Sequence, residues 1–123
     1  MLLCIVDVID QAMVARLRAW LAQAMFADGR TTAGAEAREV KHNEQVDGTD
    51  PQLGQMQDLV MDRLWDNALF MMGTQPRTIR PPLFSRYVPG MDYGSHVDNV
   101  MMGGIRTDIS LTLFLSDPAD YEG

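Results

Sequence analysis

The sequence predicts an α+β fold, and three observations carry that expectation. Two segments with apolar residues at helical spacing, each opened by an aspartate, fill the first half. The second half changes to short extended runs, and the last of these alternates apolar and polar residues with a period of two. A length of 123 residues leaves room for a single domain, with a helical and mixed region over residues 1–75 and a β region over residues 76–123.

Leu2, Leu3, Cys4, Ile5 and Val6 form a short apolar run bounded by Asp7, which reads as a buried strand with Cys4 as an inert core thiol. Asp10 is an N-cap for a helix over residues 11–26; Val14, Leu17, Leu21 and Ala24 or Met25 make its apolar stripe, and Arg16 and Arg18 lie off it. Asp28-Gly29 supplies a turn, and residues 30–34 and 39–46 read as irregular or weakly alternating strands. Asp50-Pro51 joins an N-cap to a proline at the first helical position. Leu53, Met56, Leu59, Val60 and Leu64 then share one face of a second helix that runs to about Asp66. Residues 67–72 add a helical turn ended by Gly73, their Met and Phe side chains filling core space.

After Pro76, residues 83–88, 93–98 and 108–116 read as strands, separated by Pro89-Gly90-Met91-Asp92 and by a loop over residues 100–105. In the last run Ile109, Leu111, Leu113 and Leu115 alternate with Ser110, Thr112, Phe114 and Ser116, the mark of a core strand with one aliphatic face.

Seventeen acidic against ten basic residues give a net charge of −7, a field that repels polyanions and disfavours nucleic acid as a partner. Lys41 is the only lysine, and no polybasic run exists to hold an anionic membrane. Cys4 is the single cysteine, so an intramolecular disulfide is impossible and a reduced, cytoplasmic setting is expected. The first residues lack a basic leader and a cleavage site, so neither a signal peptide nor a membrane span is expected.

The chemistry concentrates in residues 86–99. On an extended segment residues two apart share a face, so His96 and Asp98 can aim an imidazole nitrogen and a carboxylate oxygen at one point. A neutral imidazole beside a hard carboxylate suits a divalent iron with open positions, as in the 2-His-1-carboxylate facial triad. By itself His-x-Asp is a short and common pattern, and a hydrogen-bonded polar pair beside a turn is its plainer meaning.

The surroundings extend it. The chain is similar to the bacterial PKHD-type hydroxylases, members of the prolyl-4-hydroxylase-like Fe(II)/2-oxoglutarate dioxygenases. The matching segments run in order: Met1-Leu2-Leu3-Cys4-Ile5, Asp28-Gly29-Arg30-Thr31-Thr32-Ala33-Gly34, Val40-Lys41-His42-Asn43, Pro81-Pro82-Leu83-Phe84-Ser85-Arg86-Tyr87, His96-Val97-Asp98-Asn99, Arg106-Thr107-Asp108, and Thr112-Leu113-Phe114-Leu115-Ser116-Asp117-Pro118. The resemblance implies N-terminal helices packed on a double-stranded β-helix, or jelly roll, with His96 and Asp98 as the first two ligands of Fe(II). It also implies 2-oxoglutarate as co-substrate, L-ascorbate as a reductant for the iron, and oxidative decarboxylation to succinate and carbon dioxide coupled to hydroxylation of a C–H bond. The family's third ligand, a second histidine, and the arginine that pairs with the distal 2-oxoglutarate carboxylate are expected downstream of residue 123. The chain stops in the turn-like Asp120-Tyr121-Glu122-Gly123, with Gly123 matching the first of the glycines that lead into the second half of the jelly roll. It therefore reads as an N-terminal fragment with the C-terminal half missing, one that holds iron weakly and turns over little by itself. Unpaired strand edges in such a fragment favour a homo-oligomer.

Around the pair, Tyr87 resembles a tyrosine that donates its phenol to 2-oxoglutarate near the metal, and it equally fits a half-buried strand tyrosine. Phe114 stands where relatives carry a polar aromatic for the co-substrate, which makes Thr112 on the same face a possible substitute. Tyr93 reads as structural or as a cleft wall, and Asn99 as orienting Asp98 or capping its loop. Arg106 could reach the cleft or a substrate carboxylate, and pairing with Asp108 or Asp117 is the plainer expectation. The methionines read as adaptable packing, and Met101-Met102-Gly103-Gly104 as a flap over the cleft or a plain connector. Two rival functions stay open: a non-catalytic fragment or interaction module with an incomplete metal site, and a cupin-like metal-assisted hydrolase or isomerase. The substrate is not named by the sequence.

Overall fold

A computed structural model describes residues 2–122. Gly123, expected to lead into a second half of the fold, lies outside them. The chain is a mixture of helices and small antiparallel sheets, in keeping with the α+β expectation.

Helix α1 (Gln11–Leu21) begins at Asp10, whose carboxylate accepts from the Met13 amide at 2.8 Å. It ends five residues earlier than its apolar pattern suggests, because the chain turns into β1 (Phe26–Asp28). Its buried stripe is Met13, Leu17 and Trp20, with Val14, Leu21 and Ala24 packed at the edge. A 3-10 turn (Gly29–Thr32) and a short helix α2 (Ala35–Glu39) replace the strand expected over residues 30–34. Strands β2 (Lys41–His42) and β3 (Glu44–Val46) follow, then α3 (Leu53–Asp66) and α4 (Ala68–Thr74).

The start of α3 is tied to the core by a buried carboxylate. Asp50 accepts from the Gln52 amide at 2.9 Å, the Met25 amide at 3.0 Å and the Trp20 indole at 3.3 Å, so one side chain joins three segments. Met56, Val60 and Leu64 of α3 meet Leu17 and Trp20, and Phe84 sets its ring edge-on to Trp20 at 4.9 Å. Asn67 caps α4 by accepting from the Phe70 amide at 2.8 Å. Gln75, in the left-handed region at φ 44, ends that helix in place of the expected Gly73.

β3 pairs antiparallel with β1 on one side and with β4 (Ser85–Arg86) on the other, giving the order β1-β3-β4. β2 pairs with β5 (Asp92–Tyr93), and β6 (Met101–Met102) with β7 (Ile105–Arg106). The last pair closes through Gly103 and Gly104, both at positive φ, as a two-residue hairpin demands. Met101-Met102-Gly103-Gly104 is thus a tight hairpin corner.

Two expected strands are absent. Residues 2–6 form no strand; Leu2, Val6 and Cys4 are exposed, and Leu3 lies against Gly73 of α4 where a Cβ would meet it. Only Ile5 packs on the core, so Cys4 is not a core thiol. Residues 108–116 likewise join no ladder. Leu113 and Leu115 rest on the core while Ile109, Leu111 and Phe114 are exposed, so the alternation reports sidedness without a neighbouring strand to satisfy the backbone. The strand expected over residues 93–98 shrinks to β5, and that over 83–88 to β4. Met71 is half-buried and Met72 exposed, leaving Phe70 as the core filler of α4. Among the described residues no helix is long and apolar enough to cross a membrane.

Candidate functional site

The site grows out of the β2–β5 ladder. Lys41 faces Tyr93 and His42 faces Asp92, and the Gly94 amide extends the pairing by donating to the Val40 carbonyl at 2.8 Å. His42 Nδ1 lies 2.9 Å from Asp92 Oδ1, an exposed cross-strand contact worth little. Beyond Gly94 the chain bends at Ser95 and leaves the ladder.

His96 is held from three directions. Its Nδ1 lies 2.8 Å from the Gly94 carbonyl oxygen, which only accepts, so Nδ1 carries a proton and donates it. Its ring stacks on Tyr93, centroids 3.8 Å apart and planes 7° from parallel. Its Nε2 lies 3.2 Å from Asp98 Oδ1. The two side chains therefore converge, although residues 96–98 form no strand. In the neutral imidazole Nε2 then offers a lone pair to a carboxylate oxygen, and two such acceptors in contact call for a positive charge between or beside them.

A metal ion fits that demand at two positions. Ligand bonds of about 2.1 Å at a right angle leave donor atoms about 3.0 Å apart, close to the separation here. The Gly94 carbonyl also fixes the ring in the manner of a metal-bound histidine, whose second nitrogen donates to a carbonyl or carboxylate. An imidazolium–carboxylate pair fits the same distance. Among the described residues no group of three His, Cys, Asp or Glu stands together to complete a metal site.

Tyr87 is nearly half exposed, and its hydroxyl accepts from Asn43 Nδ2 at 2.8 Å, which leaves the phenolic proton free to donate elsewhere. A Cβ on Gly29 would overlap Asn43 Oδ1, a buried oxygen without a hydrogen-bond partner, so Gly29 sets the amide that holds Tyr87. Burial, then the neighbouring charges of Asp98 and Tyr87, push the Tyr93 phenol up from its ordinary value. Thr112 is exposed on the C-terminal segment and has no hydrogen bond among the described residues to His96, Asp98 or Tyr87. Asn99 packs its side chain on Gly34, and its carbonyl accepts from the Thr107 hydroxyl. Arg106 pairs with Asp108 at 2.9 Å, as its sequence neighbourhood suggests.

No family model matches the chain. Curated relatives do: the PKHD-type hydroxylase of Thioalkalivibrio sulfidiphilus is 45% identical over 127 residues, covering all of this chain and 57% of the relative. That of Nitrosomonas europaea is 46% identical over 130 residues with the same coverage. That of Picosynechococcus is 48% identical over 103 residues, 84% of this chain and 47% of the relative. By sequence the chain belongs with the PKHD-type hydroxylases. It spans a little over half the length of the curated relatives it matches end to end.

In this PKHD-type chain the features hardest to find by sequence are non-local. Lys41 is buried beneath the ladder, its ammonium donating to Thr32 Oγ1 at 3.0 Å and lying 5.2 Å from the centre of the Tyr93 ring. Burial lowers its pKa, against an opposing pull from Asp28. Thr32 also meets Gln45 Oε1 at 2.5 Å, and Gln45 Nε2 reaches Ser85 at 3.3 Å, so a part-buried polar chain links Lys41 to β4. Asn99 and Thr32 then open onto a cavity of about 260 Å³, with Arg80, Leu83, Met101 and Met102 completing its wall. Gly29, Gly34 and Gly103 are the available signal, since each marks a close approach that only the fold explains.

Proposed function

We propose that this chain supplies the first two iron ligands and one co-substrate contact of an Fe(II)- and 2-oxoglutarate-dependent dioxygenase that hydroxylates a small-molecule or peptide substrate. The convergence of His96 Nε2 and Asp98 Oδ1 at 3.2 Å, with Nδ1 committed to the Gly94 carbonyl, is the observation that carries the reading. Membership of the PKHD-type hydroxylases supports it.

In this reading His96 and Asp98 hold the metal, and Tyr93 and Gly94 orient the imidazole. Tyr87, held by Asn43, turns its phenolic proton toward a carboxylate of 2-oxoglutarate, with Thr112 as a further contact. Ferrous iron with 2-oxoglutarate would supply oxygen activation coupled to oxidative decarboxylation, and L-ascorbate would return oxidised metal to the ferrous state. The jelly roll would be completed, and the third histidine ligand and the arginine for the distal carboxylate supplied, by sequence outside these 123 residues. The setting is the reducing cytoplasm.

Two donors bind iron weakly, so the 123-residue chain should turn over little alone. Anaerobic titration of the chain with Fe(II), followed by the imidazole NMR signals, is expected to broaden His96 selectively and leave His42 sharp. His96→Ala and Asp98→Ala should each abolish the effect. Equal broadening of both histidines, or persistence in the Asp98→Ala variant, would falsify the assignment. In a protein of the relatives' full length, Fe(II) with 2-oxoglutarate should add a weak visible charge-transfer band; its absence there would favour an interaction module or a hydrolase instead.

A further inference from the structure

The recess walled by the 101–103 hairpin has a distinct charge character. It opens at Asn99, the residue after Asp98, and its polar wall is Thr32, Asn99 and Arg80. No acidic residue lines it. Arg80 extends its guanidinium over the hairpin corner: a Cβ at Gly103 would come within 2.6 Å of its Nη1, and Gly103 at φ +57 belongs to the hairpin turn itself. Backbone and guanidinium thus approach closely only because residue 103 has no side chain.

Three arginines beside the strands are paired, while Arg80, like Arg16, Arg18, Arg38, Arg63 and Arg77, is in no ion pair among the described residues. Arg30, Arg86 and Arg106 each have a carboxylate partner, at 2.5, 2.5 and 2.9 Å. Among the described residues no ion pair includes Arg80 or Lys41, although acids outnumber bases seventeen to ten in this chain. Lys41, buried behind Thr32, places a second positive charge at the back of the same wall. A planar, exposed guanidinium left without a carboxylate suits an incoming anion with two oxygens in one plane. Leu83, Met101 and Met102 give the rest of the wall an apolar and adaptable surface.

We propose that this cavity is the organic substrate's subsite, and that it takes a small acid whose carboxylate pairs with Arg80 and whose aliphatic stem lies on Leu83, Met101 and Met102. The assignment rests on the oxygenase reading for calling the ligand a substrate. The anion site itself needs no metal. A volume of about 260 Å³ is at the small end for ligand pockets and favours a compact metabolite over a polymer. A carboxylate could also belong to 2-oxoglutarate, and the experiment separates the two sources.

The test is a metal-free NMR titration of the chain carrying ¹³C-methyl methionine. Hexanoate is expected to shift the Met101 and Met102 methyls saturably, and hexanamide at equal concentration to leave them in place. Arg80→Gln should weaken hexanoate at least tenfold and Arg80→Lys less, whereas Arg77→Gln, on an exposed arginine, should match the parent. The core methyls of Met13 and Met56 report whether each variant is folded. Equal binding of the amide, or an Arg80→Gln effect under twofold in a folded variant, overturns the proposal. Displacement of hexanoate by equimolar 2-oxoglutarate overturns it too, by giving the recess to the co-substrate. Since no iron is present, failure of this titration leaves the His96 broadening test standing, and failure of that test leaves these shifts unaffected.

Discussion

Tyr93 and His96 lie ring on ring, 3.8 Å between centroids and 7° from parallel. The tyrosine is fixed by the β2–β5 ladder, so the stack transfers the rigidity of a backbone pairing to an imidazole that sits outside any strand. An aromatic pair of this kind contributes about 0.5–1.5 kcal/mol. Tyr93→Leu is therefore expected to weaken Fe(II) binding by about tenfold through loss of orientation, and Tyr93→Phe by less than about twofold, since residues that orient a ligand rather than bind it give effects of about 10–100-fold. Calorimetry with Fe(II) under anaerobic conditions checks both; equal losses in the two variants would place the role in the hydroxyl instead.

Gly29 and Asn43 give a second prediction. A methyl group at residue 29 has to displace the Asn43 amide, which also releases the Tyr87 hydroxyl. Gly29→Ala should destabilise the chain by about 1–3 kcal/mol, the range for forcing volume into a packed site. Gly48→Ala meets nothing within 4 Å and should stay within about 0.5 kcal/mol. Urea denaturation of both variants decides, with unchanged stability of Gly29→Ala the outcome that removes this account.

Asp50 makes stability depend on pH with a definite sign. Hydrogen bonds from the Met25 and Gln52 amides hold its carboxyl below the usual aspartate value in the folded chain, against the opposing effect of burial, and the Trp20 indole adds to them. A group depressed on folding stabilises above its unfolded value, about 3.9, and the contribution is lost as pH falls through the lower folded value. Asp50→Asn should lower Tm at pH 7, and the gap to the parent should close on acidification below about pH 4. Thermal melts across that range test it; a gap of constant size at every pH would mean that charge is irrelevant there.

What could be read in the sequence follows the range of the interactions. Asp10 caps α1 through a neighbour three positions away, and that start is found where the pattern puts it, whereas α3 begins at Leu53, beyond the expected Asp50-Pro51 start, with Asp50 holding the turn before it through the Gln52 amide. His96 and Asp98 are two apart, so their convergence is also local. Residues 2–6 and 108–116 mislead because alternation and β-branching report which side is apolar, while a strand also needs a partner for its backbone. Gly73 was a plausible helix stop, but its missing side chain serves the approach of Leu3, and Gln75 takes the left-handed turn. Arg80, Thr32 and Asn43 act on partners far away in sequence, which no spacing rule reaches.

The core offers the last prediction, one that links packing to the site. Leu17 is fully buried where α1 meets α3, in the same cluster as Phe84, the residue immediately before β4. Truncation there removes three carbons and leaves a cavity lined by residues that cannot all move in, at a cost of about 2–5 kcal/mol. In a domain of this size that corresponds to a fall in Tm of about 10 °C or more. Because Phe84 feeds directly into β4, which pairs with β3 beside Asn43, loosening the core should also reach the Asn43–Tyr87 bond. Leu17→Ala is thus expected to lower Tm and to lose near-ultraviolet circular dichroism from the Trp20–Phe84 pair, whereas Trp65→Ala, at a 41% exposed position of α3 outside the buried cluster, should do neither to the same degree. A melt in which Trp65→Ala costs as much as Leu17→Ala would show that the apolar face of α3 extends past the cluster described.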